Sequence, residues 1–128
     1  MIDYHEDYYK GVGGIYFKKI LDKIIKIGNL DQENGIILDF GCGHNHLKRR
    51  LDDKKVIGYD IIPDLSGIRD YRKLKPDVIV CNNILEHFTK PEVIIKIKEF
   101  KKMNKNSRLI TATPTENWLS KLGMFVTG

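Results

Sequence analysis

Four short apolar runs constrain the fold of this chain more than any other feature of its sequence. They cover residues 36–40, 56–60, 77–82 and 108–113, and each ends at or beside a polar residue, glycine or proline. Runs of this length are typical of strands that are buried on both faces of a sheet. Because helical patterns stand between most of them, the sequence predicts an α/β fold with a mostly parallel sheet and helices on both faces.

Apolar residues at three- and four-residue spacing predict the helices. A first helix ends near Gly28, a short helix covers residues 46–51, and a capping box at Thr89 begins a third. A last amphipathic helix is predicted over residues 118–126. The side chains expected to face the core from the first three helices are Phe17, Ile20, Leu21, Ile24, Ile27, Leu47, Leu51, Val93, Ile97 and Phe100.

Length and composition indicate a single globular domain. The 128 residues carry a formal net charge of +5, and no repeat or linker divides them. We expect one domain over residues 1–128, with an N-terminal arm and helix at 1–34 and a core at 35–128. Two cysteines, Cys42 and Cys81, are too few for a disulfide framework. Without a long apolar run or a secretory signal, a cytoplasmic protein with reduced thiols and no membrane partner is expected.

Polar residues and glycines collect where the predicted strands end. Residues 39–43 close the first strand, Asp60 closes the second, residues 82–83 close the third, and residues 114–115 follow the last. Ligands of open parallel sheets bind at the carboxyl ends of the strands, where the strand order reverses. The sequence therefore predicts a ligand site at this edge of the sheet.

The turn Gly41-Cys42-Gly43 and the later Asp60 fit a nucleoside ligand. Glycines after a first strand let the backbone approach a ligand closely, and an acid about twenty residues further on is placed to bind ribose hydroxyls. The dinucleotide fingerprint needs a third glycine, and His46 occupies that place. No Gly-Lys-Ser/Thr sequence follows the turn, which excludes a P-loop.

Four motifs in order carry a family resemblance. Residues 37–43 (ILDFGCG) resemble motif I of the class I S-adenosylmethionine-dependent methyltransferases, and residues 56–60 (VIGYD) resemble the second motif. Residues 77–88 (DVIVCNNILEHF) are similar to the fourth-strand motif, and residues 108–114 (RLITATP) to the fifth strand. The resemblance is to a small, shortened type 11/23-like member. It implies a Rossmann-like, doubly wound fold that uses S-adenosyl-L-methionine as its cofactor.

The resemblance also implies a role for each residue of the site. Asp39 and the glycine turn would lie against the methionine part of the cofactor, and Asp60 would bind the ribose. Asp70 and Tyr71 would flank the adenine, and residues 82–83 would line the sulfonium side. The cofactor-binding residues implied in this way are Asp39, Gly41, Cys42, Gly43, Asp60, Asp70, Tyr71, Asn82 and Asn83.

His87 is the predicted catalytic residue if the methyl acceptor must lose a proton. A histidine just past a strand end can titrate near neutrality, although a histidine that only packs the loop is the alternative interpretation. A zinc site assembled from Cys42, His44, His46, Cys81 and His87 would match no common ligand spacing, so we expect no metal.

Three departures from the family pattern predict a shortened domain. Asn45 stands where a third glycine is usual, and asparagine tolerates left-handed geometry. Residues 61–76, interrupted by Pro63 and Gly67, are too few for a helix and a full third strand, so a loop with at most a short edge strand near residues 67–70 and an open adenine pocket are expected. No C-terminal hairpin of strands six and seven is expected. The last strand would then be an exposed edge through which a homodimer could form.

The sequence leaves three functions open. The motifs predict a methyltransferase whose acceptor is unidentified, with a small molecule favoured. A degenerate, non-catalytic cofactor-binding or interaction module is the alternative. A nucleic-acid methyltransferase is a further alternative that only the basic net charge suggests. Residues 82–85 (NNIL) lack the aromatic-proline motif that amino-methylating nucleic-acid enzymes often carry, which disfavours it.

Overall fold

The computed structural model describes residues 11–51, 54–112 and 126–127, and these residues build a five-stranded sheet. The sheet order is β2-β1-β3-β4-β5, and the first four strands in the chain run parallel. The Rossmann-like α/β class predicted from the sequence is thereby confirmed. The strands are β1 (Ile36–Phe40), β2 (Lys55–Tyr59), β3 (Val78–Asn82), β4 (Arg108–Ala112) and β5 (Val126–Thr127).

Three α-helices accompany the sheet within the described ranges: α1 (Gly11–Gly28), α2 (His46–Arg50) and α3 (Lys90–Met103). Helix α1 ends at Gly28 because the next residue, Asn29, takes the left-handed conformation (φ 51°). Helix α3 begins with the predicted capping box. The Thr89 hydroxyl accepts a hydrogen bond from the Glu92 amide (3.4 Å), and the Glu92 carboxylate accepts one from the Thr89 amide (2.9 Å).

Both faces of the sheet are buried, which explains why its strands read as continuous apolar runs. On one face, Leu21 and Ile24 of α1 pack with Leu47 of α2 against alternate strand residues. On the other face, Val93 and Phe100 of α3 pack against the intervening ones. The strand residues of the first face are Ile37, Val56, Val78, Val80, Ile110 and Ala112. Those of the second face are Leu38, Phe40, Ile79, Cys81 and Leu109.

The strand registers bring the carboxyl ends together at one edge of the sheet. Phe40, the last residue of β1, pairs with Tyr59, the last residue of β2. Asn82, the last residue of β3, pairs with Ala112 of β4. The chain leaves β1 toward β2 on one side and leaves β3 toward β4 on the other, so the predicted switch point falls between the carboxyl ends of β1 and β3.

Residues 61–76 form no strand, which agrees with the predicted loop; the Gly67 amide donates a single hydrogen bond to the Gly58 carbonyl (2.8 Å), and no ladder continues beyond it. One sequence prediction is corrected: the last parallel strand is not a bare edge, because Leu109 and Ile110 pair with β5. Val126, predicted to end a helix, belongs to this strand instead. β5 already occupies part of the edge through which a homodimer was expected to form. The homodimer itself stays a prediction.

Some predictions concern residues outside the described ranges. The N-terminal arm at 1–10 and the rest of the last helix, with Trp118 and Phe125, lie outside the described residues, as do Pro114 and Thr115. None of the helices within the described ranges is long and apolar enough to cross a membrane.

The capping box gives a direct test of how α3 is held. Thr89→Ala is expected to lower the free energy of unfolding by about 1 kcal/mol, because the Glu92 amide loses its acceptor. Thr89→Ser, the matched control, keeps a hydroxyl, so its free energy of unfolding should fall by at most a few tenths of about 1 kcal/mol. Urea denaturation of the two variants measures both values, and equal losses would show that the hydroxyl does not cap the helix.

Candidate functional site at the carboxyl edge of the sheet

The glycine turn after β1 has the conformation that its sequence predicts. Gly41 and Gly43 have φ angles of 83° and 52°, and Asn45 has φ 62°, so the expected tolerance of Asn45 for left-handed geometry is confirmed. The amides of Gly41 and Cys42 both donate to the Tyr59 carbonyl, at 2.8 and 2.9 Å. A Cβ on Gly41 would come 2.8 Å from the Ile84 side chain, so a side chain at position 41 would displace Ile84 and would be strained at this positive φ.

Asp60 connects this turn to the end of β2. Its Oδ2 accepts a hydrogen bond from the Gly43 amide (3.0 Å), and its Oδ1 accepts one from the Ile62 amide (3.0 Å). The residue is only 7% exposed. Each carboxylate oxygen has room for a second donor, so Asp60 can still accept hydrogen bonds from ligand hydroxyls. Its position agrees with the predicted ribose-binding role, which remains a prediction.

Asp39 is a buried carboxyl close to the same turn. It is 5% exposed, and burial, aided by the negative charge of Asp60, raises the pKa of its carboxyl to about 7. A cation bound beside it would favour the ionised form. Burial also raises the pKa of the Cys42 thiol to about 12, so this thiol remains protonated and unreactive at neutral pH.

The segment after Asp60 forms one wall of an open cavity of about 370 Å³. Ser66 organises it, because its hydroxyl accepts from the Asp60 amide (3.1 Å) and donates to the Ile68 carbonyl (2.6 Å). The Leu65 carbonyl accepts from the Asn45 side chain (3.3 Å), which joins the segment to the glycine turn. The residues lining the cavity are Tyr59, Asp60, Ile61, Pro63, Ser66, Gly67, Ile68 and Arg69.

Gly58 lets strand β2 pack closely against the glycine turn. A Cβ at this position would come 2.4 Å from Oδ1 of Asn45 and 2.7 Å from Sγ of Cys42. Sequence reasoning singled out Asp60 and missed Gly58, Ser66 and the other lining residues. Their signal was weak: Gly58 lies inside a strand, and Ser66 follows the acid in a stretch whose proline, serine and glycine indicate only a loop.

Asp70 and Tyr71, predicted to flank the adenine, do not line this cavity. The Asp70 carboxylate accepts from the amide and the guanidinium of Arg72, at 3.1 and 3.0 Å, and these bonds hold the pKa of Asp70 below its usual value. Tyr71 is 4% exposed and packs in the second core cluster. The adenine contact of this pair therefore stays a prediction.

The end of β3 presents hydrogen-bond acceptors. Oδ1 of Asn82 and Oδ1 of Asn83 are buried and have no hydrogen-bond partner among the residues that the structure describes. Asn83 adopts φ 57°, and its amide donates to the Ala112 carbonyl (2.9 Å), which fixes the turn against β4. Buried acceptors without donors are rare, and a bound ligand that carries donors would satisfy them.

Glu86 and His87 follow on a 3₁₀ turn, Leu85–His87. Partial burial raises the pKa of Glu86, whereas His87 is exposed to solvent. The catalytic role of His87 remains a prediction. In the described part of the chain, no group of three or more His, Cys, Asp or Glu residues is arranged to hold a metal ion.

A glycine turn after the first strand and a buried acid after the second are the marks of Rossmann-like domains, a class whose members bind adenosine-containing cofactors. A family model described as a methyltransferase domain matches residues 13–125. The chain belongs to this methyltransferase-domain family, which confirms the family inferred from the four motifs.

The structure is also similar to magnesium protoporphyrin IX methyltransferase (ChlM) from Synechocystis PCC 6803, solved with bound SAM. The TM-score is 0.52 at 21% sequence identity, over 77% of this chain and 57% of that chain. At this identity the match shows a common fold, and the chain spans less than two thirds of the neighbour's length. No curated protein matches the sequence.

The residues at this edge fit S-adenosylmethionine, the cofactor of the family. Its ribose hydroxyls and ammonium group are hydrogen-bond donors. The described side chains at the edge supply acceptors: the carboxyls of Asp39 and Asp60, and the unpartnered amide oxygens of Asn82 and Asn83. Gly41, where a side chain would collide with Ile84, keeps the backbone bare at the turn.

The raised pKa of Asp39 predicts how stability depends on pH. The folded carboxyl titrates at about 7 and the unfolded one near 3.8, so the folded state holds the extra proton between these values. The stability that Asp39 contributes therefore falls as the pH rises from about 4 to about 7. Asp39→Asn should raise the free energy of unfolding, by about 3 kcal/mol more at pH 8 than at pH 4.5.

Urea denaturation of the wild type and Asp39→Asn at the two pH values measures this difference. The comparison at pH 4.5 is the internal control, because most of the wild-type carboxyl is then protonated in the folded state and close in charge to asparagine. A stability difference that is the same at both pH values would contradict the raised pKa.

Proposed function

We propose that this chain binds S-adenosylmethionine at the carboxyl edge of the sheet and transfers its methyl group to a small-molecule acceptor. The observation that carries the proposal is the buried Asp60 carboxylate, hydrogen-bonded to Gly43 of the glycine turn in a chain of the methyltransferase-domain family. The cofactor supplies a methyl group already activated on a positively charged sulfur. The protein's task is to hold and orient the reactants and to exclude water.

Each side chain at the edge has a proposed task. Asp60 accepts hydrogen bonds from the ribose hydroxyls, and the bare backbone at Gly41 allows close approach of the ligand. The ionised Asp39 carboxyl balances positive charge on the methionine portion. The buried acceptors of Asn82 and Asn83 bind donors near the reacting centre. These tasks are supported by the chemistry of the groups involved: carboxylate and amide oxygens accept hydrogen bonds, and the ligand is cationic and rich in donors.

His87 is the proposed base for acceptors that must lose a proton. It lies one residue past Glu86 on the 3₁₀ turn after β3, and it is exposed and therefore accessible to an acceptor. A nucleophile that is already unprotonated would need no base. We place the reaction in the cytoplasm, because both cysteines are free and buried, as is usual in reducing compartments.

A non-catalytic cofactor-binding module is the second candidate. It is favoured by the described site residues themselves: the glycine turn and Asp60 are joined in a geometry suited to binding, whereas the catalytic role of His87 rests on its position alone. The proposed ribose-binding residue Asp60 and the glycine turn lie within the described residues, whereas Pro114 and Thr115 lie outside them. Cofactor binding without formation of S-adenosylhomocysteine in the presence of any acceptor would support this candidate.

Calorimetric titration with S-adenosylmethionine and S-adenosylhomocysteine tests the proposed site. Asp60→Ala is expected to weaken binding of both ligands at least about tenfold, because it removes a charged acceptor of ribose hydroxyls. Asp64→Ala is the matched control: it removes an exposed acid from the same segment that does not line the cavity, and it should bind like the wild type. Urea denaturation would establish that both variants are folded.

The outcomes separate the alternatives. Binding lost only in Asp60→Ala would support the proposed site and justify an acceptor screen that follows S-adenosylhomocysteine release. Equal binding by both variants would show that Asp60 does not contribute to the cofactor site. No binding by the folded wild-type chain would refute cofactor binding altogether.

A further inference from the structure

Tyr71 lies at the centre of a partly buried polar network between the segment after β2 and helix α3. Its hydroxyl donates a short hydrogen bond to the Glu99 carboxylate and accepts one from the Lys96 ammonium (2.6 Å). Lys96 and Glu99 also form an ion pair at 3.2 Å. Burial and the contact with Glu99 raise the pKa of the Tyr71 hydroxyl well above its usual value, so the phenol keeps the proton that it donates.

The Tyr71 ring touches the ends of both strands that lead into the candidate site. Its centroid is 4.6 Å from that of Tyr59, which precedes Asp60, and 5.0 Å from that of Phe40, which precedes Gly41. The Phe40 and Tyr59 rings are stacked on each other at 5.5 Å. These edge and stacked contacts fix ring positions as well as burying area.

Lys96 strengthens the same cluster. Its ammonium lies 5.2 Å from the Tyr71 ring centroid and 5.6 Å from the Phe40 centroid, within cation–π range. The Glu99 carboxylate balances this half-buried charge. Helix α3 therefore holds the aromatic rings from one side, while the strand ends hold them from the other.

We propose that Tyr71, clamped by Lys96 and Glu99, is a positioning residue that sets the glycine turn and Asp60 in their ligand-binding geometry. It acts through Tyr59 and Phe40 and does not line the cavity itself. The described connection between β2 and β3 contains the 3₁₀ turn Tyr71–Lys73 but neither a longer helix nor a strand, and the clamp ties this connection to helix α3. The effect on cofactor affinity rests on the proposed function, whereas the ordering of the turn does not.

Two charge-removing variants on one helix test the clamp. Lys96→Met deletes the ammonium that contacts Tyr71, and Lys98→Met deletes an exposed ammonium two residues away. Hydrogen exchange of the Gly41 and Gly43 amides is followed by NMR in the ligand-free chain, with the amides of β3 as an internal reference. The free energy of unfolding of each variant is measured in urea.

Lys96→Met is expected to speed exchange of the two glycine amides at least about tenfold beyond the change in the β3 amides, and Lys98→Met should not. Tyr71→Phe, which keeps the ring and removes only the hydroxyl, should have the same effect to a smaller extent. If the exchange rates of the glycine amides change only as much as those of the β3 amides, the network contributes general stability and does not position the turn. That result would overturn the proposal.

Binding provides the second measurement. Lys96→Met and Tyr71→Phe are expected to raise the dissociation constant for S-adenosylhomocysteine roughly tenfold, and Lys98→Met should leave it unchanged. If the wild type binds and all three variants bind equally well, the positioning role is refuted and the proposed function stands. If the folded wild type does not bind, the proposed function fails, and the amide exchange alone decides whether the clamp orders the turn.

Discussion

The hydrogen bond from the Gly43 amide to the Asp60 carboxylate is the interaction on which the candidate site depends. It joins the turn after β1 to the end of β2, two places separated by 17 residues along the chain. The two amides that donate to the Tyr59 carbonyl reinforce the same junction. Because the parallel register already places Phe40 beside Tyr59, the junction requires no distortion of the sheet. The sheet thus provides the alignment, and the turn converts it into a surface for a ligand.

The site gathers groups that disfavour folding in the absence of a ligand. Asp39 is buried near a second carboxylate, and within the described part of the chain the amide oxygens of Asn82 and Asn83 have no donor. Buried polar groups of this kind cost stability unless something satisfies them. The apolar clusters on the two faces of the sheet supply the compensating stability. Acceptors left open in this way favour a ligand that carries positive charge and hydrogen-bond donors.

Sequence patterns predicted most of the regular structure because it follows from local periodicity. The four apolar runs became β1 to β4, and Thr89 with Glu92 marked the start of α3. The glycine turn and Asp60 were recognised because their backbone and charge requirements leave few alternatives. Tyr71 was predicted to flank the adenine, a role that stays a prediction, and its contact with Lys96 and Glu99 joins residues 25 and 28 positions away, which no local pattern encodes. The pairing of Leu109 and Ile110 with β5 was missed for the same reason.

Gly58 has a consequence for how this sequence can evolve. A methyl group there would collide with the side chains of Cys42 and Asn45, so the three positions share one small volume. A larger residue at 58 becomes acceptable only after smaller residues have replaced those at 42 and 45. Substitutions at these positions are therefore expected to be coupled and to depend on their order. In an alignment of relatives, positions 42, 45 and 58 should co-vary in volume.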